Sequence, residues 1–101
     1  MSAFYILDGR TPLPESDSFA WGLWYANTDR RVRKETVCGS EISTVFLGMD
    51  HSFGSGKPLL FETMVFDGPL DGEMERCSTW DEAEAMHERM VERVRAAGVL
   101  A

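Results

Sequence analysis

The sequence predicts an α+β domain in which a single antiparallel sheet of four to five strands carries two helices. Three observations predict it. Apolar residues alternate with period two through the middle of the chain, they recur at helical spacing near its end, and Gly- and Pro-bearing turns separate the segments. At 101 residues the chain fits one hydrophobic core, because domains usually hold about 100–150 residues, so residues 1–101 are read as a single domain.

Phe4 to Leu7 is a short apolar run ended by the turn dipeptide Asp8-Gly9, which reads as a strand. Pro12 and Pro14 then hold the chain extended and out of helix. Ser16, Asp17 and Ser18 are N-cap candidates for a first, very aromatic helix over residues 19–26. Gly22 inside it costs about 1 kcal/mol relative to Ala, which predicts a close packing partner there. From Val32 the period changes to two, and charges on both sides of the segment predict an edge strand. Cys38-Gly39-Ser40 turns this strand into the β-branched run Ile42 to Leu47, so residues 32–47 read as a hairpin.

Leu59 to Phe66 is the most apolar run, and with Ile42 to Leu47 it is expected at the centre of the sheet. Glu73 to Cys77 follows a turn-rich segment and reads as a strand at or near an edge. Thr79 and Glu82 form a capping box, in which each side chain satisfies the other residue's free backbone amide. Ala83, Met86, His87, Met90, Val91 and Val94 follow at helical spacing, Trp80 anchors the first turn, and Gly98 is the expected stop of a helix over residues 80–96.

Composition bounds the function classes. With 44% hydrophobic and 27% charged residues the chain has the material of an ordinary globular core. Met1 to Leu7 lacks a basic region followed by a long apolar stretch, and no window approaches a membrane span, so a cytoplasmic location is expected. Cys38 and Cys77 show neither the close pairing of a zinc knuckle nor the density of a disulfide scaffold, and are read as reduced thiols. A net charge of −7 argues against direct binding to nucleic acid, since that affinity comes from cations displacing counterions. The charge is divided. Arg30, Arg31, Arg33 and Lys34 form one basic cluster, while residues 67–92 are strongly acidic, a split that either steers a cationic partner or simply solvates a helix face.

Candidate chemistry gathers in the segment from Asp50 to Pro58. Its Gly54-Ser55-Gly56-Lys57 invites a phosphate-loop reading, but His51 stands where that pattern needs glycine and Pro58 where it needs Ser or Thr, so no nucleotide cofactor is implied. Asp50 and His51, with Glu62 from the apolar run, are candidates for a hydrolytic or metal-dependent centre; only two histidines are present, and no spacing shows three ligands converging. Glu62 either lies on a solvated face or pairs with an arginine of the 30–34 cluster. His87, on the apolar face of its helix, is expected to be half-buried and hydrogen-bonded. The aromatic residues Trp21, Trp24, Tyr25 and Trp80 read as core, with one left over as a binding anchor. A nucleotide sponge would need Arg10 or the 30–34 arginines to face a pocket with an aromatic wall. The loop offers another reading, in which Asp50, His51, Phe53 and Lys57 present polar groups, an apolar anchor and a charge to a protein partner.

Over most of its length the chain resembles a family of small bacteriophage and prophage proteins of unknown function. The resemblance rests on Tyr5-Ile6-Leu7-Asp8-Gly9-Arg10, Asp29-Arg30-Arg31-Val32, the run from Ser43 to Phe53, Leu60 to Phe66, and Ser78-Thr79-Trp80-Asp81-Glu82-Ala83 with His87. It brings no activity, cofactor or catalytic residues. It implies a phage setting, in which small acidic proteins act in the host cytoplasm by binding and blocking a bacterial protein, for instance a nucleic-acid-handling defence complex of the kind countered by anti-CRISPR proteins.

Overall fold

The computed structural model describes residues 3–54 and 56–100. The chain runs β1 (Tyr5–Asp8), β2 (Thr11–Pro14), α1 (Ser18–Asn27), β3 (Arg31–Val37), β4 (Ser40–Phe46), β5 (Phe61–Phe66), β6 (Met74–Cys77) and α2 (Trp80–Leu100). The fold is α+β, but it holds two sheets. β1 and β2 pair with each other alone, and β3-β4-β5-β6 form a separate antiparallel sheet in that order. The expected single sheet fails for a reason that lies in β2: Pro12 and Pro14 have no amide hydrogen to offer a further neighbour, so Thr-Pro-Leu-Pro pairs on one side only. The hairpin is tied instead to the chain after β4, where the Tyr5 amide donates to the Gly48 carbonyl at 2.9 Å and the Asp50 amide to Ala3 at 2.9 Å.

The larger sheet follows the alternation closely. β4 is buried at every second residue, and its inward row of Ser40, Ile42, Thr44 and Phe46 faces α2, as do Phe61, Thr63 and Val65 of β5. β3 and β6 lie at the edges, as the charged and short segments predict. Cys38 and Gly39 both have positive φ, 49° and 79°, the twist of a two-residue hairpin turn that matches the strands on either side. α2 packs against all four strands.

The helix starts where the capping box predicts: Glu82 N donates to Thr79 Oγ1 at 3.1 Å, and the Thr79 amide donates to Glu82 Oε1 at 3.0 Å. It does not stop at Gly98. The helix continues to Leu100, and a Cβ at Gly98 would meet the Cys38 side chain at 3.2 Å, so the glycine lets α2 approach the β3–β4 turn. Gly22 behaves in the opposite way: among the described residues nothing outside its own helix turn lies within 4 Å of the Cβ it lacks, so the expected close partner is not found there.

α1 is capped by Asp17, whose Oδ1 accepts from the amides of Phe19 at 2.9 Å and Ala20 at 3.2 Å. Rather than lying across the four-stranded sheet, it packs on β1. Trp21 stacks on Phe4 with centroids 4.5 Å apart and donates its indole N–H to Gly48 O at 2.9 Å. Trp24 reaches the main core, edge-on to Phe46 at 5.8 Å, where Tyr5 and Leu7 of β1 also pack.

That core has two apolar clusters with a polar layer between them. Ile42, Val65, Met90, Val91 and Val94 make one cluster; Phe46, Leu60, Phe61, Ala83 and Met86 make the other, with Trp80 and Trp24 at its margin. Register pairs Ile42 with Val65, Thr44 with Thr63 and Phe46 with Phe61, so the threonine row lies between the apolar rows. Fully burying one of these large side chains contributes about 1.5–3 kcal/mol. His87 from α2 meets the threonine row.

Candidate functional site

Two groups of polar side chains merit comparison as sites. The first was not legible as a group in the sequence. Glu35 Oε1 lies 2.7 Å from His87 Nε2, His87 Nδ1 lies 2.7 Å from Thr44 Oγ1, and Thr44 Oγ1 lies 2.5 Å from Thr63 Oγ1. An ionised carboxylate only accepts, so His87 Nε2 carries the hydrogen shared with Glu35. With a neutral ring, Nδ1 then accepts from the Thr44 hydroxyl, which accepts from Thr63. Carboxylate, imidazole and hydroxyl in series are the parts of an activated nucleophile. Here they have no access: Thr44, Thr63 and His87 are all completely buried. A substrate cannot reach the hydroxyls, so the series serves the core, and His87 is more deeply buried than the expected half. The His87 hydrogen bond, ahead of the nearby Arg33, holds the Glu35 carboxyl below its usual range.

The second group is the loop between β4 and β5. Both of its ends are fixed. Leu47 N donates to Leu60 O at 2.7 Å, His51 N donates to Leu59 O at 3.0 Å, and Phe4 and Met49 form an isolated bridge. Asp50 Oδ1 accepts from the Ser52 amide at 2.8 Å and the Leu59 amide at 3.0 Å, joining the two arms of the loop through one carboxylate. The Ser52 amide is the main group holding the Asp50 carboxyl below its usual range, assisted by the Ser52 hydroxyl and the Leu59 amide. His51 Nδ1 lies 2.9 Å from Met49 O; a carbonyl only accepts, so this nitrogen carries the hydrogen and the imidazole shapes the loop.

Phe53 stands at the tip. It is 89% exposed and has φ +56°, in the left-handed region that costs a residue with a Cβ about 1–2 kcal/mol. A groove of about 300 Å³ runs beside it, lined by Ala3, Tyr5, Asp50, Ser52, Phe53, Gly54, Gly56 and Pro58. Of the four candidate partner-binding residues, Asp50 and Phe53 therefore line a common groove. His51 and Lys57 flank the loop without lining it; Lys57 is exposed and lies within the electrostatic reach of Glu82.

The hydrolytic or metal-dependent centre is not assembled. Asp50 is engaged by backbone amides of its own loop and His51 by Met49, while Glu62 lies half-buried on the face of the sheet opposite α2. Its Oε2 meets Arg76 Nε at 3.0 Å, an arginine directly opposite it on β6 rather than one from the 30–34 cluster. Among the described residues no three His, Cys, Asp or Glu side chains come together as a metal site. The cations invoked for a nucleotide are also engaged. Arg10 lies over Trp80 at 5.3 Å, Arg30 over Tyr25 at 3.7 Å, Arg31 pairs with Asp29, Arg33 with Glu88 and Glu35, and Lys34 with Glu41. Arg10 does face a cavity of about 290 Å³ with Trp80 in its wall, where the ring and Glu84 engage it, while the 30–34 cations are paired on other parts of the surface. Cys38 and Cys77 are not joined, and no helix among the described residues is long and apolar enough to cross a membrane.

No protein-family model, curated protein or solved structure matches the chain.

Proposed function

We propose that the chain is a binding protein that recognises another protein through the Asp50–Lys57 loop. The observation that carries this reading is Phe53: a large aromatic side chain, almost wholly exposed, held in a strained backbone conformation by a loop anchored at both ends. Backbone strain opposes folding and an exposed ring contributes nothing to it, whereas aromatic residues dominate interface energetics. The resemblance to phage proteins supports a bacterial host protein as the partner, bound and inhibited in the cytoplasm. The net charge of −7 favours a basic surface such as that of a nucleic-acid-handling defence complex.

The test replaces His51, Phe53 and Lys57 together with alanine. The variant should melt within a few degrees of the parent, because none of the three contributes to the core clusters. It should also lose the stoichiometric partner that the parent captures from bacterial lysate at low salt. Normal capture by the folded variant would overturn the reading.

A further inference from the structure

Three of the chain's aromatic surfaces differ in how they are covered. Trp80 has Arg10 over its ring and Tyr25 has Arg30, so the molecule twice uses a guanidinium to cover an accessible aromatic face. The groove beside the loop tip has two aromatic residues, Tyr5 and Phe53, and among the described residues no cation lies over either. Among the described residues its lining contains one charged side chain, the Asp50 carboxylate, and no Lys, Arg or His. The site thus has the surroundings that Arg10 has at Trp80, where Glu84 supplies the carboxylate at 3.8 Å, but without the arginine.

We propose that this groove is the receptor for an arginine side chain presented by the partner protein. The proposal rests on the reading of the loop as the binding surface and gives that surface its chemistry. The cavity, about 300 Å³, lies at the lower end of the range of about 300–1,000 Å³ for small-molecule sites, a size suited to one side chain rather than a nucleotide. A guanidinium is planar, stacks on aromatic faces and meets a carboxylate with paired donors. It is also less strongly hydrated than a lysine ammonium and gives up less on leaving water. Asp50 Oδ1 is committed to two amides of the loop, so the carboxylate is held in place before the ligand arrives. The remaining carboxylate oxygen is the acceptor for the guanidinium. An excess of negative charge on the whole chain attracts the same partner at longer range.

The experiment titrates isotope-labelled protein with acetyl-glycyl-arginyl-glycinamide and follows backbone amide resonances. The same peptide with citrulline, a neutral analogue of arginine, is the control. The amides of Ser52, Phe53 and Gly54 should shift in a saturable manner with the arginine peptide, and the citrulline peptide should bind about fivefold or more weakly, the scale of one exposed ion pair with a cation–π contact. Asp50→Asn keeps an Oδ1 acceptor for the two loop amides and removes the charge; it should weaken the arginine peptide by the same factor. Phe53→Leu, which leaves the Asp50 hydrogen bonds to the Ser52 and Leu59 amides untouched, should do likewise. Equal response to the two peptides, shifts confined to the acidic face of α2, or unchanged binding in both variants would overturn the proposal. Failure of the peptide while the triple-alanine loop variant still loses its partner overturns this inference and leaves the binding reading standing. Peptide bound in the groove with normal partner capture by the loop variant overturns the binding reading instead.

Discussion

The layer around His87 and the loop around Asp50 are built from similar materials, a carboxylate, a histidine and hydroxyl groups, and they differ in what reaches them. In the layer, Glu35, His87, Thr44 and Thr63 are satisfied by one another, and three of the four are completely buried. In the loop, Asp50 and His51 are engaged by backbone, the Ser52 hydroxyl is buried without a hydrogen-bond partner among the described residues, and the side chain left over is an exposed phenylalanine. The more enzyme-like geometry is therefore the inaccessible one. A hydrogen-bonded acid–imidazole–hydroxyl series is evidence for chemistry only where a substrate can approach the hydroxyl; inside a core the same series has a structural consequence. Here it places one polar row between two apolar clusters. A slip of one residue between β4 and β5 would turn one of the two threonines away from α2 and break the Thr44–Thr63 hydrogen bond, so the layer favours the register.

Breaking the layer should have the largest effect. His87→Ala leaves the Thr44 hydroxyl hydrogen without its buried acceptor, takes one of its partners from Glu35 and opens a void, and should lower stability by about 3 kcal/mol or more in denaturant unfolding. Trp80→Ala should cost about as much. Its ring lies edge-on to Phe61 at 6.1 Å, and its indole N–H donates to Glu84, so truncation uncovers the second apolar cluster. Equal stability of either variant with the parent would mean that the core is held elsewhere.

A smaller effect sharpens the comparison through pH. Glu35 has its carboxyl held below the usual range by His87, so its contribution is present above the unfolded-state pKa of about 4.3 and is lost as pH falls through the lower, folded value. The parent should lose stability below about pH 4, and Glu35→Gln should flatten that part of the profile while lowering stability at neutral pH. Superimposable acid limbs for the two proteins would remove Glu35 from the account. Cys77 differs from the exposed Cys38 in the same sense. Burial, ahead of the charge on Glu82, pushes its thiol up to about 11, so iodoacetamide near pH 8 should label Cys38 and leave Cys77 unmodified in the folded protein.

The smallest expected change is a gain. Among the described residues, nothing beyond its chain neighbours and its own helix backbone lies within 4 Å of the position a Cβ would take at Gly22, so Gly22→Ala should raise stability by about 0.5–1 kcal/mol through helix propensity, seen as a rise in melting temperature. A fall would show that the glycine serves a contact made only in a complex.

Local signals were legible in the sequence where the chain itself closes the interaction. Asp17 and the Thr79–Glu82 box lie within a few residues of the amides they cap, and the alternation of Ile42 to Phe46 already names the inward row. What was not legible depends on distant partners. Thr44 and Thr63 stand as polar residues at inward positions of two apolar runs, which signals a polar layer, but their histidine is 43 positions from Thr44 and its carboxylate 52 positions from His87. Glu62 found Arg76 rather than the 30–34 cluster because strand order placed β6 beside β5 and β3 beyond β4. The prolines of β2 signal extended chain by themselves, whereas their deeper consequence, a hairpin unable to join the main sheet, depends on β1 being its partner. At the candidate site, Phe53 and the flanking glycines marked the loop, whereas the groove formed with Ala3 and Tyr5 needed the fold.

The division of labour between buried layer and exposed loop is tested most directly by partner capture with two conservative variants at a temperature where both are folded. Thr63→Val removes one hydroxyl from the layer and keeps its shape; Phe53→Ala removes the exposed ring and leaves the core intact. Bacterial lysate passed over immobilised parent and variants should yield the same stoichiometric partner with the parent and Thr63→Val, and none with Phe53→Ala. Retention of the partner by Phe53→Ala together with its loss by Thr63→Val would contradict the account, placing function in the layer and only structure in the loop.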